Sequence, residues 1–221
     1  MRKGKLVVIE GIDGSGKKTQ WRWLVKKFGT VGVDFPRYSQ SGPGRLLKDL
    51  LAGKHGDWQQ TTPYLATLPY VLDQYLWWRN IGKWQLADGK WIIANRYVTS
   101  NIHQIYKLKG KQRQEFAKWF WKLVYQELGL PRPDLVMFLD VPPEVAADLA
   151  KKRGVKGKIE DDDFVYQQRS FRGFLDMCRK DKTWVRVRCM EGNKLLTKEK
   201  ISERMGKIWH EKFKSGRSGN F

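Results

Sequence analysis

Short unbroken apolar runs alternate along this chain with longer stretches in which apolar residues return every three or four positions. Leu6–Glu10 (LVVIE) is the first run, and it predicts a buried parallel strand. Lys17–Phe28 follows with helical spacing and ends at Gly29. Residues 31–35 form a weaker strand candidate stopped by Pro36, and 45–52 a helix broken at Gly53-Lys-His-Gly56. Residues 63–86 carry helical periodicity with many aromatics and a bend expected near 80–82. WIIA (91–94) is a second buried strand; 100–108 and 111–128 read as helices separated by Gly110. Leu135–Asp140 (LVMFLD) is the third strong strand, after which Pro142-Pro143-Glu144 opens a helix to about Lys152, proline being tolerated in a first turn. The glycine-containing, mixed-charge segment 153–163 reads as a loop. Then come a helix to about Lys180, a strand over 184–190, a helix over 197–214 and a polar tail, 215–221, expected to be disordered. Strands alternating with helices predict an α/β domain on a mostly parallel sheet, with 1–214 as one unit.

The turn after the first strand carries the clearest chemistry. EGIDGSGKKTQ (10–20) places Gly11, Gly14 and Gly16 ahead of Lys17, between a strand and a helix. That context makes a GxxxxGK stretch a phosphate cradle: backbone N–H groups converge on phosphate oxygens, the helix N-terminus adds partial positive charge, and the lysine reaches the outer phosphates. The pattern then calls for Ser or Thr as a Mg²⁺ ligand, and Lys18 stands there instead. Thr19 is no substitute, since successive helical residues are rotated by about 100°.

Composition narrows the picture. At 221 residues, 41% hydrophobic and 30% charged, the chain suits one soluble core. The N-terminal apolar run is too short for a signal-peptide core or a membrane span, and Cys178 and Cys189 show no CxxC spacing, so a cytoplasmic setting is expected. Net charge is +20, from 43 Lys and Arg against 23 Asp and Glu. These cations are dispersed rather than gathered in one tract. They predict a generally basic surface with clusters suited to phosphate-rich substrates, not nucleic-acid binding.

FPRYSQS (35–41), GKHGD (53–57), NRYVTSN (95–101) and LGLPRPDLVMFLDVPPEV (128–145), in this order after the phosphate loop, resemble the thymidylate kinase family. The resemblance implies a three-layer P-loop nucleoside-monophosphate kinase fold, with a five-stranded parallel sheet flanked by helices and a small lid at about 151–163. It implies transfer of the ATP γ-phosphate to dTMP, Mg²⁺ as cofactor and a homodimer. ATP phosphates would lie on Gly11, Asp13, Gly14, Ser15, Gly16, Lys17, Lys18 and Thr19. The acceptor dTMP would contact Asp13, Phe35, Arg37, Tyr38, Tyr70, Gln74, Arg96, Ser100, Asn101 and Gln104. Lys17, Arg96, Asp13 and the lid cation Arg153, with Lys152, Lys156 and Lys158 behind it, would serve catalysis, and Asp13 the metal. Within that set Tyr70 resembles the ring stacked on thymine, and Asn101 the amide reading the base edge.

Three positions depart from the family's usual pattern: Lys18 for the metal hydroxyl, Asn95 for the Asp before Arg96, and Gln74 for the Arg that donates to the thymine carbonyl. The first two are expected to leave the transfer site two charges less negative, which predicts a slowed enzyme rather than a dead one. Gln74 can donate to O4 of thymine or accept from an exocyclic amine, so dTMP is the expected best acceptor and dUMP the second. The rival readings are a kinase for another acceptor, dUMP or dCMP, and a nucleotide-binding protein without turnover. Several helices carry more aromatics than one face can bury, which points to a partner subunit.

Overall fold

A strand without polar alternation must be covered on both faces. β1 (Leu6–Glu10) and β4 (Leu135–Asp140) meet that requirement, every residue of each being buried. The computed structural model, which describes residues 4–152 and 161–214, sets β1 at the centre of a five-stranded sheet of order β2-β3-β1-β4-β5. The other strands are β2 (Val31–Asp34), β3 (Ile92–Asn95) and β5 (Trp184–Arg188). Every neighbouring pair is parallel.

Parallel neighbours need long crossovers, and helices supply them. α1 (Lys17–Phe28) links β1 to β2. Between β2 and β3 lie α2 (Gly42–Leu51), α3 (Pro63–Trp77) and α4 (Lys83–Ala87). α5 (Ile102–Lys107) and α6 (Gly110–Lys122) precede β4. α7 (Pro143–Lys152) and α8 (Asp161–Lys180) precede β5, and α9 (Lys198–Lys214) follows the last strand. This is the α/β architecture expected from the pattern. No helix among the described residues is long and apolar enough to cross a membrane. The lid residues Arg153, Lys156 and Lys158 and the tail 215–221 lie outside the described residues.

Several boundaries differ from the sequence expectation for local reasons. α2 starts at Gly42 rather than 45, because the Ser41 hydroxyl accepts from the Gly44 N–H (2.9 Å) and Pro43 occupies the first turn. The strand expected over 184–190 ends at Arg188; β6 (Met190–Glu191) then turns back on β7 (Lys194–Leu195). The bend expected near 80–82 is a π-helical turn, Trp78–Gly82, and a second one, Leu123–Glu127, ends α6. The aromatic excess resolves largely inward. Trp77 and Phe120 are core residues, while Trp119, Trp121 and Tyr125 pack partly buried against the core.

An open parallel sheet binds ligands beyond the carboxyl ends of its strands, where the chain direction of successive crossovers reverses. Here that point is the end of β1, flanked by β3 and β4.

Candidate active site

Gly16 caps α1 in the left-handed conformation (φ 85°), which lets the loop turn its N–H groups toward the helix axis. A Cβ on Gly14 would sit 2.4 Å from the Ala146 carbonyl oxygen, so α7 closes against the loop as only glycine permits. Lys17 is buried. Its Nζ donates to the Ile12 carbonyl (2.6 Å) and lies 3.6 Å from Asp13. Burial pulls its ammonium down to about 8, the Arg96 charge adds to this, and the Asp13 and Glu10 carboxylates oppose it.

Arg96 follows β3, its N–H donating to the Ile9 carbonyl of β1 (3.0 Å). Its φ of 65° makes it the one non-glycine residue with left-handed backbone among the described residues. Held this way, its guanidinium donates to the Asp13 carboxylate. Solvent reaches 63% of the Asp13 side chain, yet the Arg96 charge beside it holds its carboxyl well below the usual range. Burial works against the charge on Arg96, but the Asp13, Tyr166 and Glu10 side chains together outweigh it and raise its pKa. Beneath them Glu10 is fully buried. It accepts from Thr99 Oγ1 (2.5 Å) and Ser100 Oγ (2.9 Å). Burial raises its pKa, while Arg96 and the two hydroxyls pull it back.

A cavity of about 320 Å³ opens over this pair, and every acceptor residue expected from the sequence lines it except Arg37. Phe35 and Tyr38 come from the turn after β2, Tyr70 and Gln74 from α3, and Ser100, Asn101 and Gln104 from the segment after β3. Buried amide oxygens of Gln74, Asn101 and Gln104 have no hydrogen-bond partner. Unpaired buried acceptors are uncommon in a folded chain, and three around one cavity suit a ligand with donors on its edge. Ser100, by contrast, spends its hydroxyl on Glu10.

Arg37 is clamped from behind. Its Nε donates to Asp73 Oδ1 (3.0 Å), its backbone N–H to Oδ2 (2.8 Å) and one terminal nitrogen to the Asp73 carbonyl (3.0 Å). Ser41 Oγ adds a third bond to the Asp73 carboxylate (2.6 Å). Asp73 thus fixes where the guanidinium can point.

The departures at 18 and 95 look different in three dimensions. Lys18 Nζ lies 2.7 Å from Asp34 Oδ2, and Asn95 Nδ2 donates to Asp34 Oδ1 (2.6 Å). The expectation of two missing negative charges did not count Asp34. β2 pairs with β3 so that Asp34 stands opposite Asn95, and its carboxylate meets the Lys18 ammonium.

Sequence reasoning also missed Glu10, Asp34, Trp58, His103, Tyr166, Gln167 and Arg169. Trp58, His103, Tyr166 and Arg169 line the cavity. His103 donates from Nδ1 to the Ser100 carbonyl (2.8 Å), and burial holds it down to about 4, hence neutral at pH 7. Gln167 of α8 accepts from the Asp13 N–H (3.0 Å), tying that helix to the phosphate loop. A single Trp or Gln outside a glycine-rich motif carries no signal of this in one sequence.

A phosphate cradle and an acceptor cavity that share Asp13 and Arg96 define a kinase of small phosphorylated substrates, in the P-loop nucleoside-monophosphate kinase class. Residues 9–201 match the family model described as "Thymidylate kinase". The chain belongs to the thymidylate kinase family, whose members are phosphotransferases that convert dTMP to dTDP. Thymidylate kinase from Mycobacterium tuberculosis is 31% identical over 159 residues, covering 67% of this chain and 71% of that one. The enzyme from Carboxydothermus hydrogenoformans is 28% identical over 199 residues, covering 87% and 91%. Among solved structures, thymidylate kinase from Candida albicans superposes with a TM-score of 0.72 at 26% identity, over 95% of this chain and 92% of that one.

Proposed function

We propose that this chain transfers the ATP γ-phosphoryl group to dTMP in the cytoplasm, with the loop N–H groups and Lys17 on the donor and Arg96 on the group in flight. The observation that carries the assignment of roles is the Asp13–Arg96 pair, which belongs to the phosphate loop and to the acceptor cavity at once. Phosphoryl transfer asks the protein for position and charge rather than covalent help. Asp13 holds Arg96 in place before any substrate arrives, so little reorganisation is needed as charge develops. Arg37, clamped by Asp73, takes the acceptor's 5′-phosphate with its remaining donors. Tyr70 stacks on the base, while Gln74 and Asn101 read its edge; an amide can donate to a thymine carbonyl and accept from N3–H.

The family implies Mg²⁺. Among the described residues no cluster of three His, Cys, Asp or Glu could hold a metal alone. Mg²⁺ in such sites leans on one or two carboxylates and the substrate phosphates, which Asp13 fits. When bound, the ion neutralises charge on the phosphate oxygens.

The chain is a homodimer on this reading. Leu65, Leu68 and Leu72 are 49%, 44% and 48% exposed and share one face of α3. Leu46 of α2, the helix packed on α3, is exposed as well. A helix face of this kind suits a self-complementary contact.

The test is ADP release with ATP across nucleoside monophosphates, with and without Mg²⁺. Turnover is expected to be strongest with dTMP, to be weaker with dUMP and to require Mg²⁺. Arg96→Ala is expected to lower kcat by about 10²–10³ with ATP binding retained. Faster turnover of dCMP than of dTMP, or none with any acceptor, would overturn the assignment.

A further inference from the structure

His103 lines the acceptor cavity and is none of the residues placed on the base, the phosphates or the group in flight. Its position follows from helix spacing. Ser100, His103, Gln104 and Lys107 fall at i, i+3, i+4 and i+7 on the helical segment after β3, and all four line the cavity. The imidazole is fixed by a short chain of contacts. The Ser100 hydroxyl donates to both carboxylate oxygens of buried Glu10 (2.9 Å each). The Ser100 carbonyl in turn accepts from His103 Nδ1 (2.8 Å). From the other side the Tyr166 ring of α8 packs on the imidazole, with 4.8 Å between ring centres. A carbonyl can only accept, so Nδ1 carries the proton and, in the neutral ring, Nε2 is bare. Nε2 lies on the side of the ring away from the backbone and has no hydrogen-bond partner among the described residues. The residue is half-buried, so the ring is not sealed from a ligand.

We propose that His103 Nε2 accepts a hydrogen bond from the 3′-hydroxyl of the acceptor's deoxyribose, and so sets a preference for nucleotides with a free 3′-OH. The inference rests on the dTMP reading above. The acceptor has few donors to offer. Above pH 7 its 5′-phosphate is largely without protons, the second pKa being about 6. Deoxyribose has one hydroxyl, at C3′, and thymine one N–H, at N3. The amides of Gln74 and Asn101 answer N3–H, which leaves the 3′-OH for Nε2. The placement agrees. Arg96 and Asp13, at the phosphate end of the cavity, and Arg169 of α8 are close enough for their charges to act on the imidazole. Asn101 and Gln104, with their unpaired amide oxygens, flank it in sequence. His103 thus stands between the phosphate end and the amides, where the sugar of a bound nucleotide lies. Burial first, then the two arginines, keep the ring neutral against the pull of Asp13 and the Ser100 carbonyl. A His103 that only packed α5 against Tyr166 could be a phenyl ring with no effect on the sugar.

That difference is the test. The parent chain and His103→Phe, which keeps a ring against Tyr166, are titrated calorimetrically with dTMP and with 3′-deoxythymidine 5′-monophosphate, which lacks only that hydroxyl. The parent is expected to bind dTMP about 10-fold more tightly than the 3′-deoxy nucleotide, the size of one net hydrogen bond. His103→Phe should lose about 10-fold for dTMP and hold the 3′-deoxy nucleotide within about twofold of the parent, so the preference disappears. A parent that binds both nucleotides equally overturns the inference with no variant needed. So does a variant that keeps the preference, or one that loses affinity for both alike. Should His103→Phe fail to fold, His103→Asn, whose amide can still donate to the Ser100 carbonyl, is read in the same way. Turnover of dTMP by the parent separates the two levels: with turnover present, these outcomes bear on His103 alone, and without it the proposed function falls and the inference with it.

Discussion

Lys17 is asked for two incompatible things: to be charged for phosphate and to be buried in the loop. Its pKa near 8 in the nucleotide-free chain is the outcome, with burial the largest cause. The sign follows from comparing the folded and unfolded states. The unfolded chain holds the proton up to the ordinary value of 10.5, so between 8 and that value it binds more protons than the folded one. The fold's penalty for this lysine is therefore present at pH 7 and is relieved as pH rises through that window. Bound phosphates reverse the balance by favouring the charged form. At pH 9, ATP binding should take up a proton, visible as a calorimetric enthalpy that depends on the buffer's ionisation heat. At pH 7, Lys17→Met should melt no lower than the parent while losing ATP affinity, the expected trade between stability and function. Binding at pH 9 without proton uptake would show that Lys17 is not the group that meets the phosphates.

The helices and strands show where sequence pattern is informative and where it is not. β1, β4 and α1 were legible to the residue, since continuous burial and a glycine stop leave one reading of each. α2 was drawn short although its signal was present in Ser41 and Pro43, a cap and a first-turn proline that periodicity does not weigh. The β6–β7 hairpin was hidden because Cys189 continues the apolar alternation of β5 and Met190 is apolar too, so only Gly192-Asn193 marks the turn. The acceptor cavity was largely legible through the family resemblance. Asp34 and Glu10 were not, because a carboxylate at the end of a strand looks like the place where the strand stops. Each gains its meaning from partners on other elements: Asn95 and Lys18 for Asp34, Thr99 and Ser100 for Glu10. The π-turn after α3 gives an element-scale test. Gly82 has helical backbone angles, so propensity alone favours alanine there. A Cβ at that position, however, would stand 2.7–2.8 Å from the buried Trp77 indole, which meets the cavity residue Phe35 edge-on (5.4 Å between ring centres). Gly82→Ala is expected to cost about 1–3 kcal/mol by overpacking, and thermal melting should show a drop of roughly 2–4 °C per kcal/mol. A melting temperature at or above the parent's would mean the indole has room to move.

For the molecule as a whole, charge and the leucine face pull in opposite directions. Each copy carries +20, so self-association sets like charge against apolar burial on α3. Repulsion of exposed charges is screened over about 8 Å at physiological ionic strength, whereas apolar burial is not screened. Dimerisation should therefore strengthen from 50 to 300 mM salt in sedimentation experiments, the reverse of what an ion-paired interface would show. Leu68→Asp/Leu72→Asp should leave monomers at all salts. The parallel sheet has one more consequence, which concerns how such chains are compared. Its strand ends form a row of nearly equivalent posts, set about 4.8 Å apart by hydrogen bonding. The register that puts Asp34 opposite Asn95 means that a group absent from one post has a near-equivalent position on the next. Column-by-column comparison of sequences is blind to that sideways exchange. A chain with a gap in its motif is better judged by what stands across the sheet, at the same height, than by the gap itself.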